Sequence, residues 1–301
     1  MKRSSLALVL WSAATLCSPH AAAQQDFSKA SVRVEQLSPT TFMISGEGGN
    51  LGVSVGPDAV FVIDDQYAPM ATKLKAAIAR LTKRPIDFVF NTHWHGDHTG
   101  GNESMGKAGA LIVAHEQVRK RLSADGLIAF LGMKTKAQPK AALPVVTFTQ
   151  DITFHINGDE VHAYHVPHAH TDGDAIVHFK NSNVIHMGDI FFNKSYPFID
   201  TSSGGTVRGV LQAVDRALAT VNEDTKIIPG HGPLASKADL QAYRDMLAAV
   251  SERIDQQIKA KKTLQDIVAL KPTAPFDAVW GGGFLPPDKW VEMLYDNLRQ
   301  P

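Results

Sequence analysis

The segment Asn91-Thr92-His93-Trp94-His95-Gly96-Asp97-His98-Thr99-Gly100-Gly101 follows directly on a short apolar run, Ile86–Phe90. The run reads as a buried strand, and the segment as the loop at its C-terminal end, where α/β proteins place their ligands. Three imidazoles and a carboxylate within six residues suit Zn²⁺, and also Fe and Mn. In extended backbone His93 and His95 point to the same side and can grip one ion. Asp97 and His98 then turn away and can reach a second. Gly96, Gly100 and Gly101 are read as giving the tight turn this needs. A solvated, adventitiously binding loop would have no reason to sit at a strand end.

The rest of the chain alternates strand-like and helical stretches, as an α/β fold requires. Val32–Ile44, Leu51–Val55, Ala59–Ile63 and Ala110–Val113 read as strands, with Gly46–Asn50 as a hairpin loop. Met70–Leu81 has helical spacing. Residues 124–143 lack periodicity and read as a surface excursion. Strands are expected near 152–156, 161–166, 175–179, 184–187 and 226–228, and a helix near 207–221. In Lys237–Lys261, Leu240, Tyr243, Leu247, Val250, Ile254 and Ile258 recur at helical steps, and Ser236 with Asp239 forms a capping-box pattern.

The first 23 residues read as a signal peptide: Lys2 and Arg3, an apolar Leu6–Leu16, then Ala21-Ala22-Ala23, with cleavage expected before Gln24. The chain is thus expected in the periplasm or secreted. Its only cysteine, Cys17, lies in that segment, so the mature chain would hold no disulfide and no thiolate ligand. Balanced charge, 30 Lys+Arg against 30 Asp+Glu, argues against a nucleic-acid partner. No apolar run reaches the ~20 residues of a membrane span. A small-molecule substrate is expected, and no obligate protein partner is inferred. The domain reading is 1–23 leader, 24–235 catalytic domain, and 236–301 a helical extension packed on it.

The His-rich segment resembles the HxHxDH signature of the metallo-β-lactamase-fold hydrolases. Four further motifs of that family follow the same order: Asp64 ending its strand, His170 in Pro167-His168-Ala169-His170-Thr171, Asp189 after Met187-Gly188, and His231 in Pro229-Gly230-His231-Gly232. The resemblance implies a four-layer αβ/βα sandwich with a C-terminal helical extension. It implies that His93, His95 and His170 hold one metal, that Asp97, His98 and His231 hold a second, and that Asp189 bridges them. Asp64 would orient a ligand from behind. The cofactor implied is two Zn²⁺ per chain, with Fe or Mn as alternatives. The chemistry implied is hydrolysis by a metal-bridged hydroxide, with Asp97 orienting the nucleophile and handling its proton.

Thioester, lactone, ester and β-lactam (penicillinase-type) hydrolysis are the substrate classes this implies, the last with a bearing on antibiotic resistance. An iron-dependent oxidoreductase resembling persulfide dioxygenases, and a non-catalytic metal-binding protein, are the alternatives. An aspartate at 189, where one lactamase subclass has cysteine, matches the glyoxalase II and lactonase branch. Lys194 and Asn50 are the expected substrate contacts, Lys194 toward a lactam carboxylate. Of the remaining histidines, His155, His162, His165, His178 and His186 on strands are read as structural, His115 after a strand as a surface or cap residue, and His168 as a neighbour of the ligand position His170, with Trp94 packing beneath the site.

Overall fold

The computed structural model describes residues 26–299. The expected signal peptide lies outside the described residues. The first half of the chain forms β1 (Arg33–Gln36), β2 (Thr41–Ser45), β3 (Leu51–Val55), β4 (Val60–Ile63), α1 (Ala71–Leu81), β5 (Phe88–Asn91), α2 (Gly96–Thr99), α3 (Asn102–Lys107), β6 (Leu111–His115) and α4 (Glu116–Leu122). A small hairpin of β7 (Gly126–Ile128) and β8 (Met133–Thr135) precedes β9 (Val146–Phe148). Then come β10 (Asp151–Ile156), β11 (Asp159–His165), β12 (Ala175–Phe179), β13 (Val184–His186), α5 (Val207–Thr220) and β14 (Lys226–Ile228). The chain closes with α6 (Lys237–Lys259), α7 (Leu264–Ala269), α8 (Asp277–Trp280) and α9 (Pro287–Leu298).

Two sheets form, in the orders β1-β2-β3-β4-β5-β6-β9 and β10-β11-β12-β13-β14. Their inner faces share one apolar layer, in which Phe61, Phe90 and Val113 meet Val161, Val177 and Phe179. The outer face of the first sheet buries Val62, Val89 and Ile112 under Leu74 and Ile78 of α1. The outer face of the second buries Ile176, Ile185 and Ile227 under α5, α6 and α9, through Val210, Tyr243, Leu247 and Trp290. The result is the expected four-layer αβ/βα sandwich, each element apolar on the faces it packs. Strands β4 and β5 run parallel, as do β13 and β14, so their C-terminal ends deliver neighbouring loops.

The sequence reading is refined at three places. The run Val32–Ile44 is a hairpin, not one strand, because Ser38 Oγ accepts from the Thr40 and Thr41 N–H groups and turns the chain. The excursion 124–143 contains the β7–β8 hairpin. The extension beyond α6 is three further short helices, of which α7 begins with a second capping box, Thr263 with Asp266. No helix among the described residues is long and apolar enough to cross a membrane.

Candidate metal centre

Each strand end contributes one piece of the site. Asp64 follows β4 with φ +60, a left-handed conformation that aspartate tolerates better than most residues. That turn lets its fully buried carboxylate accept from Thr92 N at 2.8 Å, Thr92 Oγ at 2.7 Å and His98 Nδ1 at 2.7 Å. His93, Trp94 and His95 follow β5 in irregular backbone, and Asp97 with His98 sits on α2. His170 lies between β11 and β12, Asp189 follows β13, and His231 follows β14. The expected tight glycine turn is instead the start of helical backbone: Gly100 and Gly101 have φ of −65 and −76. They are needed for closeness, since a β-carbon on either would strike the backbone of residues 65–68.

Two groups of donors converge. His93, His95, His170 and Asp189 have one ligand atom each within 4.8 Å of one another, and so do Asp97, His98, Asp189 and His231. Asp189 belongs to both. Its Oδ1 stands 2.9 Å from His98 Nε2 and 3.4 Å from His231 Nε2, while Oδ2 stands 3.6 Å from His170 Nε2 and 3.8 Å from His93 Nε2.

The outer nitrogens fix four tautomers. The proton of Thr92 Oγ goes to Asp64, so the same oxygen accepts from His93 Nδ1 at 3.1 Å. His98 Nδ1 donates to Asp64, His170 Nδ1 donates to the Phe198 carbonyl at 2.8 Å, and His95 Nε2 donates to Asp200 at 3.0 Å. With a metal in place of the second proton, the inner nitrogens of these rings would present lone pairs. His95 Nδ1 and His170 Nε2 face each other at 2.9 Å with no proton between them in this tautomer. His93 Nε2 and Asp189 Oδ1 are buried and make no hydrogen bond among the described residues. Converging lone pairs and an orphaned buried nitrogen are costly unless a cation satisfies them. The donor set is imidazole and carboxylate without thiolate, and it fits divalent metal.

The electrostatics agree. Burial first, then the neighbouring imidazoles, hold His93 well below the ordinary histidine range. Burial brings His170 down to about 4. In the second cluster the carboxylates Asp189 and Asp97 push His98 well up and His231 to about 9, and these two imidazoles in turn lower the Asp97 carboxyl to about 2 against the cost of burying it, so that protons stand where a divalent ion would. His93 and His170 are thus set as neutral ligands and Asp97 as an anionic one.

The remaining expectations fall as follows. Asn50 is buried, and both amide hydrogens are spent on the Pro229 and Gly232 carbonyls, so it ties the hairpin loop to the His231 loop. Lys194 places its ammonium 3.1 Å from Asp239 at the start of α6. Asn50 is thus engaged within the protein, whereas Lys194 stays half exposed in a surface ion pair. Trp94 packs in the core, with Nε1 on Ser203 Oγ at 3.1 Å. His115 caps α4 but is buried, not on the surface. The His168 ring bonds the Gly204 carbonyl at 3.2 Å, outside both clusters. Sequence reasoning missed Thr92, Asp200 and the rings beside the clusters: Phe198 within 6.0 Å of His95 and His170 of the first, and Phe192 stacked on His231 of the second at 5.0 Å. The pattern Asp200-Thr201-Ser202-Ser203, a helix-start signature, was the available signal for Asp200.

A family model of the metallo-β-lactamase superfamily matches residues 49–231, from the loop beside His98 to the last histidine of the second cluster. A hydroxyacylglutathione hydrolase from Polaromonas sp. is 27% identical over 207 residues, 66% of this chain and 71% of that protein. An atrochrysone carboxyl ACP thioesterase of Emericella nidulans is 34% identical over 73 residues, 23% of this chain and 24% of that one. Among solved structures, a metallo-beta-lactamase from Pontibacter korlensis superposes with a TM-score of 0.58 at 19% identity, over 72% of this chain and 99% of that one. At that identity the structural likeness speaks for the fold alone. With the family model spanning both clusters and the layers in their expected order, the chain belongs to the metallo-β-lactamase superfamily of metallohydrolases.

Proposed function

We propose that this protein is an exported dizinc hydrolase of an activated acyl compound, with a thioester as its first substrate class. The observation that carries the reading is Asp189, a buried carboxylate common to both donor clusters. His93, His95 and His170 would hold one ion, Asp97, His98 and His231 the other, with Asp189 between them. Zinc bound at such a pair polarises a carbonyl and lowers the pKa of its water toward neutrality. The chain's own part is to fix the imidazole tautomers by the outer hydrogen bonds, so that the inner nitrogens face the site, and to place an ionised carboxylate at the opening. Asp97 is that carboxylate, 20% exposed against 5% for Asp189. It accepts a hydrogen bond from the attacking water and orients it. The rings of Phe192 and Phe198 exclude bulk water beside the histidines.

Two facts favour a thioester over a lactam. A relative matched over 71% of its length is a hydroxyacylglutathione hydrolase. Lys194, the cation sought for a lactam carboxylate, is paired with Asp239. Penicillin turnover is expected to be slow, with a high KM. Residues 1–23 are proposed to direct export, which N-terminal sequencing of native protein checks by a start at Gln24.

The test is metal analysis of protein from unsupplemented medium, followed by a hydrolysis screen over acyl thioesters, lactones and penicillin. About two zinc per chain and thioester cleavage are expected, and Asp189→Asn should retain some metal and lose most activity. Bound iron would move the reading to redox chemistry. Efficient penicillin turnover with inert thioesters would replace the thioesterase reading by a lactamase one.

A further inference from the structure

Asp200 is 1% exposed and faces His95 Nε2 at 3.0 Å across 105 residues of sequence. Its carboxylate is also surrounded by donors. Ser203 gives its hydroxyl at 2.5 Å and its N–H at 3.2 Å, and the Ser202 hydroxyl donates as well. The Ser203 oxygen in turn receives Trp94 Nε1 at 3.1 Å. The same segment holds the second imidazole of the cluster. Asp200 N donates to the His170 carbonyl at 3.0 Å, and the Phe198 carbonyl takes His170 Nδ1. Residues 198–203 are therefore a bracket that sets two rings at once. The bracket is fastened on its far side too. Ala129 N donates to Ser202 Oγ at 3.0 Å, and Leu127 O lies 3.1 Å from that hydroxyl. Leu127 is in β7 and Ala129 in the turn between β7 and β8, so the hairpin reaches the histidines through Ser202.

We propose that Asp200 is the positioning residue for His95, holding the proton on Nε2 so that Nδ1 faces the first cluster, and that Ser202 fastens the 126–135 hairpin to that carboxylate. The physical reason is tautomer control. A buried carboxylate on the outer nitrogen fixes both the ring orientation and which nitrogen keeps its lone pair, and removing such a partner costs about 10–100-fold in metal affinity. An uncharged amide in its place can present either N–H or C=O, so the ring loses its preference. The proposal rests on His95 being a metal ligand, and the experiment separates the two ideas.

Zinc affinity is measured by competition with a chromophoric chelator in a His231→Gln background, which removes a donor from the second cluster only. There, Asp200→Asn should weaken the remaining site about 10–100-fold, Ser202→Ala should weaken the same site by less, and Asp200→Glu should recover part of the loss. Nitrogen-15 spectra of metal-free full-length protein supply the readout that needs no metal. His95 should be the Nε2–H tautomer in the native chain and a mixture in Asp200→Asn. Unchanged zinc affinity in a folded Asp200→Asn variant, or an Nδ1–H His95 in the native chain, would overturn the proposal. A native chain with the expected tautomer but no metal uptake would instead overturn the metal reading and leave Asp200 as a partner of His95. Ser202, exposed and easily replaced, keeps the test valid if Asp200→Asn fails to fold.

Discussion

A β-carbon on Gly49 would lie 2.1 Å from His98 Cε1, so the hairpin loop and the metal centre share one contact surface at this residue. Gly49→Ala must displace the His98 ring, which is held at 2.7 Å by Asp64. If the chain binds two metals as proposed, the variant should bind one by elemental analysis while the far-UV spectrum is unchanged; an unchanged metal content would mean that the loop gives way instead. A second residue-scale effect comes from His115 and His165, stacked at 3.7 Å with their planes 7° apart. His115 Nδ1 accepts from Gln117 N, so that ring is neutral as bonded, and His165 Nδ1 donates to the Asp174 carbonyl. Burial pushes both below the ordinary histidine pKa, and His115 adds to the effect on His165. The unfolded chain takes up protons near ~6.5 while the fold resists them. The stability these rings contribute is therefore complete above about pH 6.5 and is lost as the pH falls through their folded values. In metal-free protein, denaturant midpoints measured from about pH 7 to about pH 5 should fall less steeply for His165→Gln than for the native chain. Equal slopes would remove the stack from the account.

Helix α6 shows what a sequence exposes at the level of an element, and why. Its stripe is buried along Leu240, Tyr243, Leu247, Val250 and Ile254, and both capping-box bonds between Ser236 and Asp239 are made. Periodicity and caps are local, so both were legible. Two substitutions rank the sources of its stability. Ser236→Ala removes a cap and should cost about 1 kcal/mol. Leu247→Ala empties a fully buried position and should cost about 2–5 kcal/mol. Chemical denaturation measures both, and a larger loss from the cap would contradict the view that α6 is held by its packing. The metal donors were legible for a related reason: rare residue types cluster at strand ends. The β7–β8 hairpin was not, because strands of three residues leave no period to read. Asp200 and Thr92 were hidden differently. Their partners, His95 and Asp64, are 105 and 28 residues away, and no local pattern records such a bond.

At the scale of the molecule, the C-terminal helices support the site's own loops as well as closing a layer. Trp290 of α9 stacks on Tyr196 at 4.1 Å and donates Nε1 to the Pro197 carbonyl at 3.0 Å. Asn297 accepts from Val207 N, and Tyr243 of α6 donates to the Ile190 carbonyl. Residues 190–207, which include the bracket around His95 and His170, thus have α6 and α9 as their floor. The same apolar cluster takes in Ile185 of the second sheet and Phe191 together with Leu247, Leu294 and Trp290. Removing residues 236–301 would uncover that face of the sheet and leave buried carbonyls unpaired, so tolerance of the truncation is decided by burial and not by position at the chain end. A chain ending at Ala235 is expected to aggregate or to bind a hydrophobic dye strongly, and to lose the first cluster's metal before the second's. The complete chain should melt in one cooperative transition. A truncated chain that stays monomeric, melts cooperatively and keeps two metals would show the extension to be an appendage, and would place the support of His95 and His170 wholly within residues 26–235.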